Sequence, residues 1–230
     1  MNALITKILQ RTDTWQGRDL GLRREGLTTG YPELDVQLVD GGWPLGATIE
    51  LLGNSGGLNA MGLFLPAMKT LNEQQRWQAF IAPPCIPYSP LLLAWGIDTG
   101  QILLVHPKSS RDLLWSTEQA LRSTTCSAVF SWLPDRVRYR DLRRLQVAAA
   151  ECDVLAVLFR SRQAGSQHAP ASLRLDKREN DSVHILKQRG GRQHFDISLP
   201  SINNQPGQLQ LWELPAYPAI ADTQAGQFGA

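Results

Sequence analysis

The chain has few of the features that mark secreted, metal-binding or membrane proteins. Its three cysteines, Cys85, Cys126 and Cys152, are too widely spaced for a CxxC pair and too few for a disulfide framework. Its four histidines lack the spacing of a zinc site. No apolar run approaches the roughly 18 residues of a membrane span, and the N-terminus lacks the pattern of a signal peptide. We therefore expect a cytoplasmic protein without metal, cofactor or membrane contact.

Net charge is also scarce, at +2 for 230 residues, so the whole molecule has no strong field to attract a polyanion. The charges are nevertheless unevenly distributed. Residues 1–135 carry 10 basic and 12 acidic side chains, residues 136–192 carry 13 and 6, and residues 193–230 carry 0 and 3. The middle stretch, at +7, is where a contact with an anionic partner is expected.

Short apolar runs bounded by glycine and proline alternate with helical patterns from Thr28 onward, which is typical of an α/β fold with a mostly parallel sheet flanked by helices. Residues 188–192 join the last two runs as a hairpin, which predicts an antiparallel C-terminal edge. Strands are expected at 48–52, 77–82, 102–105, 128–132, 154–159, 183–187 and 194–199, and helices at 31–39, 61–75, 87–95, 111–122 and 139–150. We predict an N-terminal helix and linker arm (1–25), a core domain (26–200) and a partly disordered tail (201–230).

The segment before and after the first strand resembles the start of a RecA-type ATPase core. Thr29-Gly30 with Leu34-Asp35, and Gly41-Gly42 with Pro44 and Gly46, precede a strand and a glycine-rich loop. Such a loop needs backbone amides, a lysine and a Ser or Thr to bind phosphate and Mg²⁺. Here Leu58, Asn59 and Ala60 stand where Gly, Lys and Ser or Thr belong. The degenerate phosphate loop consists of Gly53, Asn54, Ser55, Gly56, Gly57 and Asn59, and we expect a ligand-free turn or residual anion binding.

Catalytic carboxylates are missing from the neighbouring strand ends. The run 77–82 continues into Pro83-Pro84, where a general-base Glu would stand, and Ser131-Trp132-Leu133 occupies the position of a metal-binding Asp. Phosphoryl transfer depends on such groups. We therefore predict no catalytic residues and a pseudo-ATPase rather than an enzyme.

The middle of the chain, with runs at 76–84, 91–98, 118–123 and 129–133, resembles two related bacterial families of the SOS response to DNA damage. SulA inhibits cell division by binding the tubulin-like protein FtsZ. ImuA is a RecA-like accessory protein that acts with the polymerase-like ImuB and an error-prone polymerase. SulA-type chains are similar to about 76–175 and lack the elements around Gly30 and Gly42, whereas the resemblance to ImuA covers about 10–200.

The fuller resemblance implies a non-catalytic RecA-like adaptor in SOS mutagenesis, that is, in translesion DNA synthesis and DNA repair. Such an adaptor would dock onto RecA, onto ImuB or onto both, and would recruit the error-prone polymerase indirectly. The alternative is a division inhibitor that binds FtsZ and blocks its polymerisation. Trp15 in the arm and Trp212 in the tail are candidate interface anchors, whereas Trp77, Trp95, Trp115 and Trp132 are expected to pack in the core.

Basic residues form three candidate contact clusters for DNA or a protein partner. The first lies on one face of a predicted helix, and the second lies where RecA relatives contact single-stranded DNA. The third lies near the edge hairpin, where charges also serve to block edge pairing. A solvated helix face is the alternative for the first cluster, and any DNA binding is expected to be weak, non-specific and salt-sensitive. The clusters are Arg136, Arg140, Arg143 and Arg144; Arg160 and Arg162; and Arg174, Lys177, Arg178, Lys187, Arg189 and Arg192, of which the first three are the candidate contacts in the third cluster.

Overall fold

A computed structural model describes residues 25–53, 60–178 and 181–200. Its frame is one sheet with strand order β3-β2-β4-β5-β1-β6-β7-β8. The strands from β1 to β6 run parallel, and β7 is antiparallel to both β6 and β8. The predicted RecA-like α/β sheet with an antiparallel C-terminal edge is thereby confirmed. The strands are β1 Ala47–Gly53, β2 Trp77–Ile81, β3 Ile102–Val105, β4 Cys126–Trp132, β5 Leu155–Ser161, β6 Leu173–Lys177, β7 Ser182–Gln188 and β8 Phe195–Ser198.

Helices cover the two faces of the sheet unequally. The first face carries α1 (Pro32–Asp35), α2 (Leu65–Asn72) and α3 (Ser89–Ala94), and the second face carries α4 (Ser110–Arg122) and α5 (Tyr139–Ala150). The first core includes aromatic rings, whereas the buried residues of the second are aliphatic apart from Cys126. Helices α4 and α5 lie over β1, β2 and β4 rather than over β6–β8. The second face of β6–β8 carries polar side chains.

Several elements differ from the sequence expectation: the helix expected at 31–39 is only the single turn Pro32–Asp35, and two further differences have local physical reasons. Strand β6 is absent from the predicted strands because Arg174 and Asp176 interrupt its apolar side chains. The helix expected at 61–75 is regular only from Leu65, since residues 60–64 form a 3-10 turn and Pro66 stands in the first helical turn, where its missing N–H costs no bond.

The predicted arm and tail remain predictions. Residues 1–24 and 201–230 lie outside the described residues, and so do both candidate anchors, Trp15 and Trp212. None of the helices within the described ranges has the length and apolar character needed to cross a membrane.

Candidate functional site

The motif Thr29-Gly30 with Leu34-Asp35 fixes the chain onto the first face of the sheet. The Asp35 carboxylate accepts hydrogen bonds from the Thr29 amide at 2.9 Å and from the Thr28 hydroxyl at 2.8 Å. Gly30 has φ +83°, and a Cβ there would lie 2.3 Å from the Cβ of Pro66. The motif therefore has a structural role, because it holds α1 tightly against the start of α2.

The motif at Gly41-Gly42 acts in the same way on the neighbouring turn. Leu27 and Trp43 form an antiparallel bridge, and a Cβ on Gly42 would lie 2.3 Å from the Leu27 carbonyl oxygen. The bridge directs the fully buried Trp43 ring onto Phe64, with centroids 4.7 Å apart. Both motifs that resemble an ATPase core thus help to assemble the aromatic core.

The degenerate phosphate loop begins at the carboxyl end of β1, where Gly53 lies opposite Ser161 of β5. Residues 54–59, and with them Asn54, Ser55, Gly56, Gly57 and Asn59, lie outside the described residues. Phosphate-binding loops lead directly into a helix whose free N–H groups face the anion. In this chain α2 begins twelve residues after Gly53, and its N-cap Phe64 makes no side-chain capping bond.

Aromatic rings occupy the region where a nucleotide site would need polar groups. The indole of Trp132 stacks on Phe159, with centroids 4.4 Å apart and planes 12° apart, and it also stacks on Phe80 at 6.0 Å. Phe64 packs edge-on against Phe130 at 5.8 Å. The position at which the sequence analysis expected a metal-binding Asp therefore belongs to a continuous aromatic stack across β2, β4 and β5.

A buried cluster of charges lies on the second face of the sheet. Glu50 of β1 is 1% exposed, and its carboxylate accepts hydrogen bonds from Arg160 of β5, at 2.6 Å, and from Arg174 of β6. Arg160 also donates to the Asp135 carbonyl and the Gln167 side chain, each at 2.8 Å. Two buried guanidinium groups thus share one carboxylate across three adjacent strands.

The expectation that Arg160 and Arg174 contact DNA or a partner is wrong. Arg160 is 0% exposed and Arg174 is 7% exposed. Arg174 also donates hydrogen bonds to the Ala164 and Gly165 carbonyl oxygens. Both side chains neutralise Glu50, whose carboxylate would be strongly unfavourable if it were buried without a positive partner. They also donate hydrogen bonds to backbone carbonyl oxygens.

The nearby cations that reach the surface are engaged with carboxylates. Arg162 donates to Asp176 at 2.9 Å, Lys177 lies 3.7 Å from Asp181, and Arg178 lies 3.1 Å from Asp196. Their predicted contacts with DNA or a partner remain predictions. Lys187 lies beside Arg174, and burial together with that positive neighbour lowers the pKa of its ammonium.

Of the four arginines expected on one face of this helix, Arg140, Arg143 and Arg144 lie in α5 and form the arginine stripe. Arg136 precedes the helix, so its expected place on the helical face is wrong. Arg136, Arg140, Arg143 and Arg144 are all exposed. Arg144 pairs with Glu118 of α4, and Arg140 lies 3.8 Å from Asp141. Across the described ranges of the chain, no carboxylate forms an ion pair with Arg136 or Arg143.

Two aromatic residues beside this stripe were missed as surface features. Trp115 of α4 is 62% exposed and Tyr139 at the start of α5 is 55% exposed, so the expected core position of Trp115 is wrong. The helical period of the sequence already indicates the exposure of Trp115, because Leu113, Thr117 and Leu121 are buried and Trp115 lies on the opposite side of the helix. Trp77, also expected in the core, is 44% exposed at the start of β2.

A second set of exposed apolar side chains lies on the edge strand β3 and on the segment around α3 that precedes it in the chain. Leu103 and Leu104 point to opposite faces of this strand, and both are more than a third exposed. The neighbouring segment before and within α3 adds Ile86, Tyr88, Leu91 and Leu93. We call these six residues the β3 apolar edge.

The chain resembles known inhibitors of cell division over its middle. The family model "Cell division inhibitor SulA" matches residues 49–156, from within β1 to the start of β5. A SulA of Edwardsiella piscicida is 32% identical over 88 residues, which are 38% of this chain and 52% of that protein. A SulA of Klebsiella aerogenes is 27% identical over 105 residues, 46% of this chain and 62% of that protein.

Among solved structures, SulA from Pseudomonas aeruginosa is 28% identical to this chain, with a TM-score of 0.40. The match covers 49% of this chain and 97% of the SulA chain. The matches span between half and two thirds of the two curated relatives. Both exposed surfaces lie within the matched segment, since the β3 apolar edge, α4 and α5 all fall between residues 49 and 156. Over residues 49–156, then, this chain is similar to the SulA family of cell division inhibitors.

Proposed function

We propose that this chain is a non-catalytic cytoplasmic protein that inhibits cell division by binding FtsZ and blocking its polymerisation. The observation that carries the proposal is the SulA similarity over residues 49–156. It favours what the sequence analysis gave as the alternative to a mutagenesis adaptor.

The geometry at the degenerate phosphate loop supports a binding role rather than catalysis. Phosphoryl transfer needs a lysine, a metal-binding carboxylate and amides at a helix N-terminus. In this chain Asn59 replaces the lysine, Trp132 stands at the carboxylate position, and α2 starts only at Leu65. The surrounding aromatic stack leaves a hydrophobic packing unit in their place.

The β3 apolar edge is the surface that best fits a protein partner such as FtsZ. Clustered exposed apolar side chains mark docking sites, and the edge strand β3 presents unpaired N–H and C=O groups as well. Ile86 is 74% exposed and Leu93 is 58% exposed. Burial of such side chains in a complex would stabilise it by about 1.5–3 kcal/mol each.

The decisive experiment is FtsZ polymerisation followed by light scattering with the purified full chain. We expect the wild type to suppress assembly, and the double variant Ile86→Glu/Leu93→Glu to lose this suppression. Val36→Glu is the matched control, since Val36 is 81% exposed and lies outside the matched segment. Normal FtsZ assembly in the presence of excess wild-type protein would refute the proposal.

The adaptor function is the second candidate, and one specific observation favours it. Elements outside residues 49–156 complete the same fold: β6–β8 extend the sheet, and the isolated bridge between Leu27 and Trp43 places Trp43 in the core. A protein that only needed the SulA-like segment would not require them. The adaptor would dock onto RecA or ImuB and recruit the error-prone polymerase indirectly.

A pull-down against immobilised RecA and ImuB tests this second function. Removal of residues 1–24 or 201–230 is expected to weaken capture by one of the two, because the arm and tail carry the candidate anchors Trp15 and Trp212. Unchanged capture of both truncated chains would exclude the anchor hypothesis, and failure of the intact chain to bind either protein would exclude the adaptor.

A further inference from the structure

We propose that the outer face of α4 and α5 binds single-stranded nucleic acid, with arginines on the phosphates and Trp115 and Tyr139 as stacking platforms for bases. This activity goes beyond inhibition of cell division. Of the clusters expected from the sequence it retains the first, adds two exposed aromatic rings to it, and excludes Arg160, which is inside the protein.

Two ion pairs set the alignment of the helices. Glu118 pairs with Arg144, and Arg122, one turn further along α4, pairs with Glu151, further along α5. The helices therefore run side by side in the same direction. Trp115 lies about one turn before Glu118, and Arg140 lies one turn before Arg144, so the indole and the arginine stripe are at the same level.

The charges that face the solvent at this level are positive. The side chains of Glu118 and Asp141 are only 12% and 10% exposed, whereas that of Arg144 is 64% exposed and that of Arg140 is 70% exposed. The carboxylates thus lie below the guanidinium groups and orient them. Arg143 adds a further exposed cation one turn from Tyr139.

The chemistry of this surface fits single-stranded nucleic acid better than an acidic protein. All its cations are arginines, whose planar forks bind phosphate oxygens and stack on bases. The rings of Trp115 and Tyr139 are more than half exposed on neighbouring helices. Base–aromatic stacking needs such free rings, whereas pairing with carboxylates does not.

The proposal predicts a steep salt dependence. If four arginines contact phosphates, the logarithm of the binding constant should fall with the logarithm of salt with a slope of about −3. Binding should then weaken roughly 50-fold between 50 mM and 200 mM salt. Stacking of a base on one ring should raise the binding constant about fivefold or more, and this factor should depend little on salt.

The experiment measures fluorescence anisotropy of a labelled oligothymidylate of about 20 nucleotides, long enough to exceed one binding site, with the full chain. Arg136→Glu/Arg143→Glu should weaken binding at least tenfold and flatten the salt slope. Trp115→Ala should weaken it about fivefold or more and leave the slope unchanged. Matched controls are Arg189→Glu/Arg192→Glu, which changes the net charge equally, and Trp77→Ala, which removes an exposed indole at the start of β2, outside α4 and α5; both should bind like the wild type.

Three results would overturn the proposal. The first is the absence of binding by the wild type at 50 mM salt. The second is equal weakening by the two charge reversals, which would show that only net charge acts. The third is equally tight binding of a polyglutamate peptide that Trp115→Ala leaves unchanged, which would assign the face to an acidic protein. Since FtsZ takes no part, each result is independent of the proposed inhibition of cell division.

Discussion

The two faces of the sheet bury opposite kinds of chemistry. The first face, below α1–α3, contains stacked aromatic rings. The second face holds the buried charges of Glu50, Arg160 and Arg174, and it continues into the exposed arginines of α5. The two faces thus differ in what they bury: aromatic and aliphatic side chains on the first face, and ion pairs beside aliphatic side chains on the second.

The comparison also separates two kinds of arginine. Arg160 and Arg174 are fixed by Glu50 and by backbone carbonyls, whereas Arg136 and Arg143 are exposed. Removal of a member of the first set should affect folding, and removal of a member of the second should affect only recognition.

The largest expected effect follows from Glu50→Gln, which leaves two buried guanidinium groups without their carboxylate. Loss of one partner from a buried ion cluster destabilises a protein by about 3–5 kcal/mol. We therefore expect the free energy of unfolding in urea to fall by about that amount. Arg143→Gln on the same face should leave the unfolding midpoint unchanged.

A triple variant distinguishes charge imbalance from poor packing at the same position. Replacement of all three groups by apolar ones of similar volume, Glu50→Leu/Arg160→Met/Arg174→Met, should restore most of the stability, because no charge then remains buried. If Glu50→Gln is as stable as the wild type, the carboxylate does not hold this face together.

Strand β3 and the hairpin of β7 and β8 could be predicted from the sequence because apolar runs and glycine turns are local signals. The burial of Arg160 could not, since it depends on Glu50, 110 residues away, on the adjacent strand. Trp115 was misplaced because tryptophan is usually buried, although the period of Leu113 and Leu121 already turned it outward.

The buried phenol of Tyr31 on the first face should make the stability of the fold depend on pH above pH 10. This side chain is 1% exposed, and burial, with a smaller contribution from Asp181, raises the pKa of its phenol to about 12. The neutral phenol therefore stabilises the fold below pH 10, and this contribution is lost as the pH rises from 10 to 12. At pH 11 the loss is about 1.4 kcal/mol.

Tyr31→Phe removes the titrating group and keeps the ring. Urea unfolding at pH 9 and pH 11 should show that the wild type loses about 1.4 kcal/mol more than this variant. Tyr139→Phe, which removes an exposed phenol, is the control and should lose as much as the wild type. An identical loss in all three proteins would mean that the Tyr31 environment does not oppose ionisation.

The smallest effect is expected where the sequence most resembles an ATPase. Leu58→Gly/Asn59→Lys/Ala60→Ser restores the phosphate-loop residues, yet we expect no thermal shift with ATP and Mg²⁺ and no phosphate release. The lysine alone is insufficient, because the anion also needs a helix N-terminus that begins at the loop, and residues 60–64 form a 3-10 turn instead. The metal would further need a carboxylate where Trp132 stacks on Phe159. Saturable ATP binding by the restored loop would show that three side chains, rather than the whole first face, account for the difference from an ATPase.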